Sequence, residues 1–244
     1  MACRCIGVRN VDAKRQAVLL SLVLTVGANF AHASPIMDLS TGVTDSGAFI
    51  PQGQADDDWM AVSTPTNPSL NTLATVLSGS RGSWVTSPSA QWIAFSDSAQ
   101  FDAPHGAYKF AVAFPLSKQP GVTYSIVGEY SADNRVLDVF LNGTLVFEGP
   151  YKSGDPTVCP SINGCEEFLA FTPLRIQQSD VFVDGQNLLT FVVNNDPPTD
   201  TNVSGLIVRA SVEATTVVPL PAPLWLLGAG FLSYLGLGWS RRAA

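Results

Sequence analysis

The sequence is short of the residues that do chemistry. It holds two histidines, His32 and His105, four cysteines, and only 14% charged residues in 244. It has no His-Glu-x-x-His pair, no phosphate-binding P-loop and no dinucleotide fingerprint. The usual signatures of zinc hydrolases, nucleotide hydrolases and nicotinamide enzymes are therefore missing. No Gly-x-Ser-x-Gly elbow accompanies the histidines either. Basic residues are few, and the net charge of −7 denies the chain the positive footprint that displaces counterions from nucleic acid. An apolar fraction of 46% with so little charge excludes a generally disordered chain.

What is present is distributed unevenly. Arg4, Arg9, Lys14 and Arg15 lie at one end and Arg241 and Arg242 at the other, whereas 19 of the 20 acidic residues lie between, leaving the middle at a net −12. The basic N-terminal stretch is followed by the apolar run Ala17–Val26, and then by Ala31-His32-Ala33. Basic, apolar and small-residue parts in that order predict a secretory signal peptide over residues 1–33, read by signal peptidase at Ala31 and Ala33. An apolar run of about ten residues is too short to span a bilayer.

The C-terminal end has its own order: Val218-Pro219-Leu220-Pro221-Ala222, the apolar run Leu224–Trp239, then Arg241-Arg242. As a helix the run would be ~24 Å long at ~1.5 Å per residue, a short span of a ~30 Å hydrocarbon core. Trp225 and Trp239 would sit at its interfaces. The terminal arginines favour a cytoplasmic end, with the acidic middle on the outer side. The prolines keep residues 218–222 extended, a form that a membrane-bound protease can bind as a strand.

The tail resembles the sorting signal of PEP-CTERM proteins of Gram-negative bacteria, the substrates of exosortases. That family carries a short Pro-Glu-Pro-type motif, one hydrophobic helix and a basic end. Here Leu220 stands where Glu is usual, in the Val-Pro-Leu-Pro-Ala version of the motif. The resemblance implies a transient inner-membrane anchor over residues 224–239, with a cut near 218–222 by an exosortase-like protease. A plain uncut anchor is the competing reading.

Between the two ends, residues 34–217 read as one all-β domain. Short β-branched and aromatic runs alternate with Gly, Pro, Asn and Asp. Arg135–Leu141 and Thr144–Gly149 flank Asn142-Gly143, and that dipeptide is the strongest short-range hairpin signal because a type I′ turn needs positive φ at both positions. Further strands are expected at Gln91–Phe95, Ala107–Phe114, Val122–Tyr130, Phe168–Phe171, Asn187–Val193 and Gly205–Glu213, with Pro115, Pro120, Pro173, Pro197 and Pro198 between them. Asp56–Gly82, rich in Ser, Thr, Asn and Pro, reads as long loops.

Several stretches are similar to the galactose-binding-like jelly-roll domain found in short PEP-CTERM proteins. They are Thr41-Gly42-Val43 with Gly47, Trp92-Ile93, Ser131–Val136 leading to Leu141-Asn142-Gly143, Gly185–Asn195 and Ser204–Val208. The fold that this implies is a jelly-roll β-sandwich, flanked by the signal helix and the transmembrane helix.

The candidate site residues follow from residue type. Asp56-Asp57-Asp58 is the densest acidic cluster and offers a calcium loop or a solvated turn, though adjacent acids cannot all turn toward one ion. The jelly-roll resemblance implies a structural calcium in many relatives but does not place one; no other cofactor is expected. Trp59 and Trp84 lie among loop-like residues and offer either faces for sugar rings or buried core, whereas Trp92, in a strand-like run, reads as core. Cys159 and Cys165 bracket Pro-Ser-Ile-Asn-Gly and, in an oxidising compartment, would close one small loop, with free thiols the alternative. His105, in Asp102–Gly106, reads as an exposed turn histidine. The tripeptides starting at Asn142 and Asn202 match the glycosylation pattern and read here as a hairpin turn and a strand start.

The function expected is that of an exported, non-enzymatic protein of the cell surface or extracellular matrix, structural or carbohydrate-binding. Its expected partners are signal peptidase, an exosortase-like protease and exopolysaccharide, with no nucleic acid. The alternative is a secreted glycan- or ester-hydrolysing enzyme, although scattered acids give no diagnostic pair.

Overall fold

The computed structural model describes residues 33–79, 82–100, 103–152, 167–196 and 203–216. His32–Val217 form one compact unit. The expected signal helix before Ala33, the tail motif Val218, Pro219, Leu220, Pro221 and Ala222, the anchor 224–239 and both Cys159 and Cys165 lie outside the described residues. No helix among the described residues is long and apolar enough to cross a membrane.

Eleven strands are found among the described residues: β1 (Ala33–Asp38), β2 (Ala55–Ser63), β3 (Thr72–Val76), β4 (Ile93–Ala94), β5 (Gly106–Leu116), β6 (Val122–Asp133), β7 (Arg135–Leu141), β8 (Thr144–Glu148), β9 (Thr172–Ile176), β10 (Gly185–Asn195) and β11 (Gly205–Thr216). Helix among the described residues is limited to two short 3-10 turns, Asp97–Gln100 and Glu167–Leu169. The hydrogen-bonded order is β8-β7-β10-β5-β2-β3-β4-β11-β6-β9. β1 lies along the edge of β11 that β4 also uses, and β6 takes the other edge over its full length. The pairings among these strands are antiparallel.

The result is a β-sandwich. One face is β8-β7-β10-β5-β2-β3, the other is β9-β6-β11 with β1 and β4, and the β3–β4 pairing at Thr75 and Val76 joins them. Strand alternation fills the space between. Asn187, Leu189, Phe191, Val193 and Asn195 of β10 are buried, while Leu188 is 46% exposed. Tyr130 of β6 meets Phe191 edge-on at 5.6 Å, and Trp59 of β2 lies 5.9 Å from the same ring. Each such ring contributes about 2–3 kcal/mol by burial.

The pattern located most strands and missed some. Asp56–Gly82 is not long loops: β2 and β3 occupy much of it, because Trp59, Ala61, Ala74 and Val76 are drawn into the core despite their polar neighbours. Phe168–Phe171 is not a strand; a 3-10 turn stands there, and the strand follows as β9. Pro115 and Pro173 lie inside β5 and β9 rather than between strands. β9 is an edge, and β2 accompanies β5 only between Lys109 and Val112, so neither proline interrupts a fully paired stretch. The Asn142-Gly143 hairpin is in place, with φ of 53° and 80°.

Candidate functional site

The acidic triplet is a strand start, not a loop. Asp56, Asp57 and Asp58 all belong to β2, where an irregularity between Ala55 and Met60 breaks strict alternation and leaves Asp56 buried with Asp57 and Asp58 exposed. One oxygen of Asp56 accepts from the backbone N–H groups of Asp58 (3.0 Å) and Trp59 (2.9 Å), and the other accepts from Gly42 N–H (2.7 Å). Burial still holds the Asp56 carboxyl above its ordinary value, against those three bonds. Asp58 is also raised, by burial first and then by Asp45, Asp56 and Asp57. Among the described residues no group of three or more His, Cys, Asp or Glu side chains is placed to hold a metal ion. The triplet therefore lies in a strand rather than the expected loop: Asp56 is spent on the backbone and does not share a face with Asp57.

The tryptophans are also corrected as sugar platforms. Trp59 is buried and its indole N–H donates to the Leu39 carbonyl at 3.2 Å. Trp84 is buried 4.2 Å from Trp92, and its N–H donates to Asp133 at 2.9 Å. Both rings are buried, and each satisfies its one polar atom inside the protein.

Beyond Trp84 a buried polar network closes one end of the sandwich. Glu167 accepts from Val136 N–H at 2.7 Å and from the Thr172 hydroxyl at 3.0 Å. Burial pushes its carboxyl up, and its charge together with burial raises the Tyr130 phenol. Arg135 pairs with Asp196 at 2.9 Å, and His105 Nδ1 lies 3.2 Å from the Asp196 carbonyl oxygen. These bonds tie loops to strand ends.

Two of the concave regions among the described residues could take a ligand. The larger, about 650 Å³, lies over the outer face of β1, β11 and β6. It carries Asp38, Glu129 and Arg209 with Ser40, Ser89 and Ser211. Arg209 is already engaged: it pairs with Glu129 and lies 4.7 Å over the Phe171 ring. The smaller, about 310 Å³, opens among the loops at one end of the sandwich. Phe49, Gln52, Thr86, Ser87, Trp92 and Ile207 line it, and none of its described lining residues is ionisable. Both volumes lie within the range of small-ligand sites.

No family model and no curated protein matches this chain. Solved structures do resemble it. A family 35 carbohydrate-binding module from Clostridium thermocellum is 8% identical, over 58% of this chain and 88% of that one, with a TM-score of 0.30. The CBM36-1 domain of a multidomain xylanase from the hindgut metagenome of Trinervitermes trinervoides is 8% identical over 66% and 98%, at 0.28. A glycosyl hydrolase family 2 member from Bacteroides cellulosilyticus is 13% identical over 64% of this chain and only 20% of its own, at 0.34. At such identities and TM-scores no activity transfers with the likeness.

Of the residues singled out in the sequence, Asp56, Trp59 and Trp84 fall in the core and the structure brings none of them into either concavity. Phe49, Gln52 and Arg209 were not singled out. The only signal for Phe49 is a bulky ring set among Gly47, Ala48 and Pro51, where a turn rather than a strand is expected.

Proposed function

We propose that this protein is an exported, non-enzymatic component of the bacterial cell surface or extracellular matrix, sorted through its tail by an exosortase-type protease and acting as a structural or carbohydrate-binding domain. The observation that carries the reading is the order of parts in the tail: Val-Pro-Leu-Pro-Ala, an apolar run, a basic end. The folded unit supports it. The first and last strands, β1 and β11, pair with each other, Ala33 opposite Thr215 and Ser34 opposite Ala214. Both expected processing points therefore flank one end of a single ladder, and neither cut would remove a core strand. The sandwich itself we read as the galactose-binding-like jelly roll.

The non-enzymatic part rests on how the acids are used. The buried carboxylates Asp56 and Glu167 accept from backbone N–H groups, which is a structural task. Mass spectrometry of the mature protein from its host tests the sorting. The expected ends are Ser34 and a residue near 218–222, whereas an intact Ala244 would leave a simple anchored domain. Calorimetry against the host's exopolysaccharide tests the carbohydrate-binding role; no heat and no retention would leave only the structural one.

A further inference from the structure

Phe49 is the one aromatic ring that the described fold leaves in the open. It is 52% exposed, whereas the other aromatic side chains among the described residues are buried or half-buried. Its position is fixed. Val43 and Phe49 form a bridge, and Thr44 N–H donates to the Ala48 carbonyl at 2.9 Å, so residues 43–49 make a tight hairpin. Ile50 N–H closes back onto the Gly42 carbonyl at 3.0 Å. The Gln91 amide donates to the Gly42 carbonyl (2.6 Å) and to the Ile50 carbonyl (2.8 Å), and Asp56 accepts from Gly42 N–H. A buried carboxylate and a glutamine thus anchor the loop from beneath. A ring held in this way loses little freedom on meeting a ligand.

The ring forms one wall of the 310 Å³ cleft. Trp92 and Ile207 are among its apolar lining residues, and Gln52, Thr86 and Ser87 among its polar ones. We propose that this cleft binds a neutral pyranose unit of a glycan, with Phe49 as the stacking platform. This rests on the carbohydrate-binding reading above and names its site and ligand class. The chemistry is specific. A pyranose presents a face of C–H groups and an edge of hydroxyls. The C–H face suits the negative face of an aromatic quadrupole, and Phe49 has no polar group to spoil it. The hydroxyl edge suits uncharged amides and hydroxyls, which both donate and accept. A uronate or phosphate would approach a chain of net charge −7. The charged outer groove has serine hydroxyls but no aromatic ring among its described lining residues, and the nearby Phe171 ring lies under the paired Arg209.

The test uses the full chain in a detergent without sugar head groups. The probes are gluco-, manno- and galacto-configured oligosaccharides beside polygalacturonate. The wild type is expected to bind at least one neutral series and to prefer it to the polyuronate. Phe49→Ala weakens that binding about tenfold while Phe49→Trp retains it, the size expected for one stacked ring. Thermal melts within a few degrees of wild type show both variants folded. Neutral binding that Phe49→Ala leaves unchanged overturns the site and leaves carbohydrate binding standing. Preference for polygalacturonate overturns the ligand class alone. No binding of any probe overturns the site and the carbohydrate reading together.

Discussion

Asp56 takes a carboxylate to a place nearly closed to water because three backbone N–H groups need it there. Removing the acceptor strands buried donors, each of which costs about 1–3 kcal/mol. Asp56→Ala is therefore expected to lower stability by about 3 kcal/mol in urea unfolding, and Asp56→Asn, which keeps one acceptor, by less. A loss under about 0.5 kcal/mol, within the range of ordinary surface changes, would contradict this role. Glu167 holds the Val136 N–H in a similar way, and burial raises its carboxyl above the ordinary 4.5. A folded-state pKa above the unfolded one means that the folded chain binds the proton more tightly. The contribution of Glu167 to stability is then largest in acid and is lost as pH rises from the ordinary carboxylate value through the raised one. Asp56, raised from 3.8, acts in the same direction. Melting temperatures between about pH 4 and pH 7 should fall less steeply in Glu167→Gln, which mimics the protonated acid. An unchanged slope would remove Glu167 from the account.

Among the elements, the β6–β11 ladder is the longest, pairing Val122–Asp133 with Gly205–Thr216. Gly128 lies in its middle opposite Ala210, and a Cβ there would overlap the Arg209 carbonyl oxygen and the Ala210 backbone. Neither neighbour is a flexible side chain that can swing away. Gly128→Ala is expected to cost about 3 kcal/mol, the upper range of overpacking, measured by thermal melting. The β7–β8 hairpin makes a contrasting case. Gly143 has φ of 80° and open space around its Cα, so Gly143→Ala pays only the backbone penalty, about 1 kcal/mol. If Gly143→Ala proved the costlier of the two, the close approach at Gly128 would not be what its position requires.

At the scale of the whole molecule, the ladder sets where functions can lie. The cleft residue Ile207 and the last strand residue Thr216 are nine residues apart on β11, about 30 Å at ~3.3 Å per residue. The cleft thus opens at the opposite end of that strand from the point where the tail begins. Intact and tail-processed forms are expected to bind the same neutral glycan with the same affinity, by calorimetry. A difference beyond about threefold would mean that the tail end of β11 reaches the cleft. Charge adds a second expectation at this scale, since an acidic domain gains little from low salt when the ligand is uncharged.

How much could be read in advance depended on the kind of signal. Local rules placed the hairpin at Asn142-Gly143, because a turn with two positive φ angles narrows the choice of residue, and placed most long strands, because period-two alternation survives wherever one face is buried. The all-β class and the distribution of charge also came from the sequence. The order of basic, apolar and small or proline parts at each end, on which the proposed export and sorting rest, also needs no fold to be read. What the sequence could not provide was which polar-flanked residues go inside. Asp56 looks like a surface group in its local setting, Trp59 and Trp84 fit surface or core alike, and Phe49 lies in a stretch that reads as a turn. Burial is decided by partners distant in the chain: Leu39 and Phe191 for Trp59, Asp133 for Trp84, Gly42 for Asp56. Only the closing of one sheet on the other brings those partners near, and it leaves Phe49 as the ring in the open.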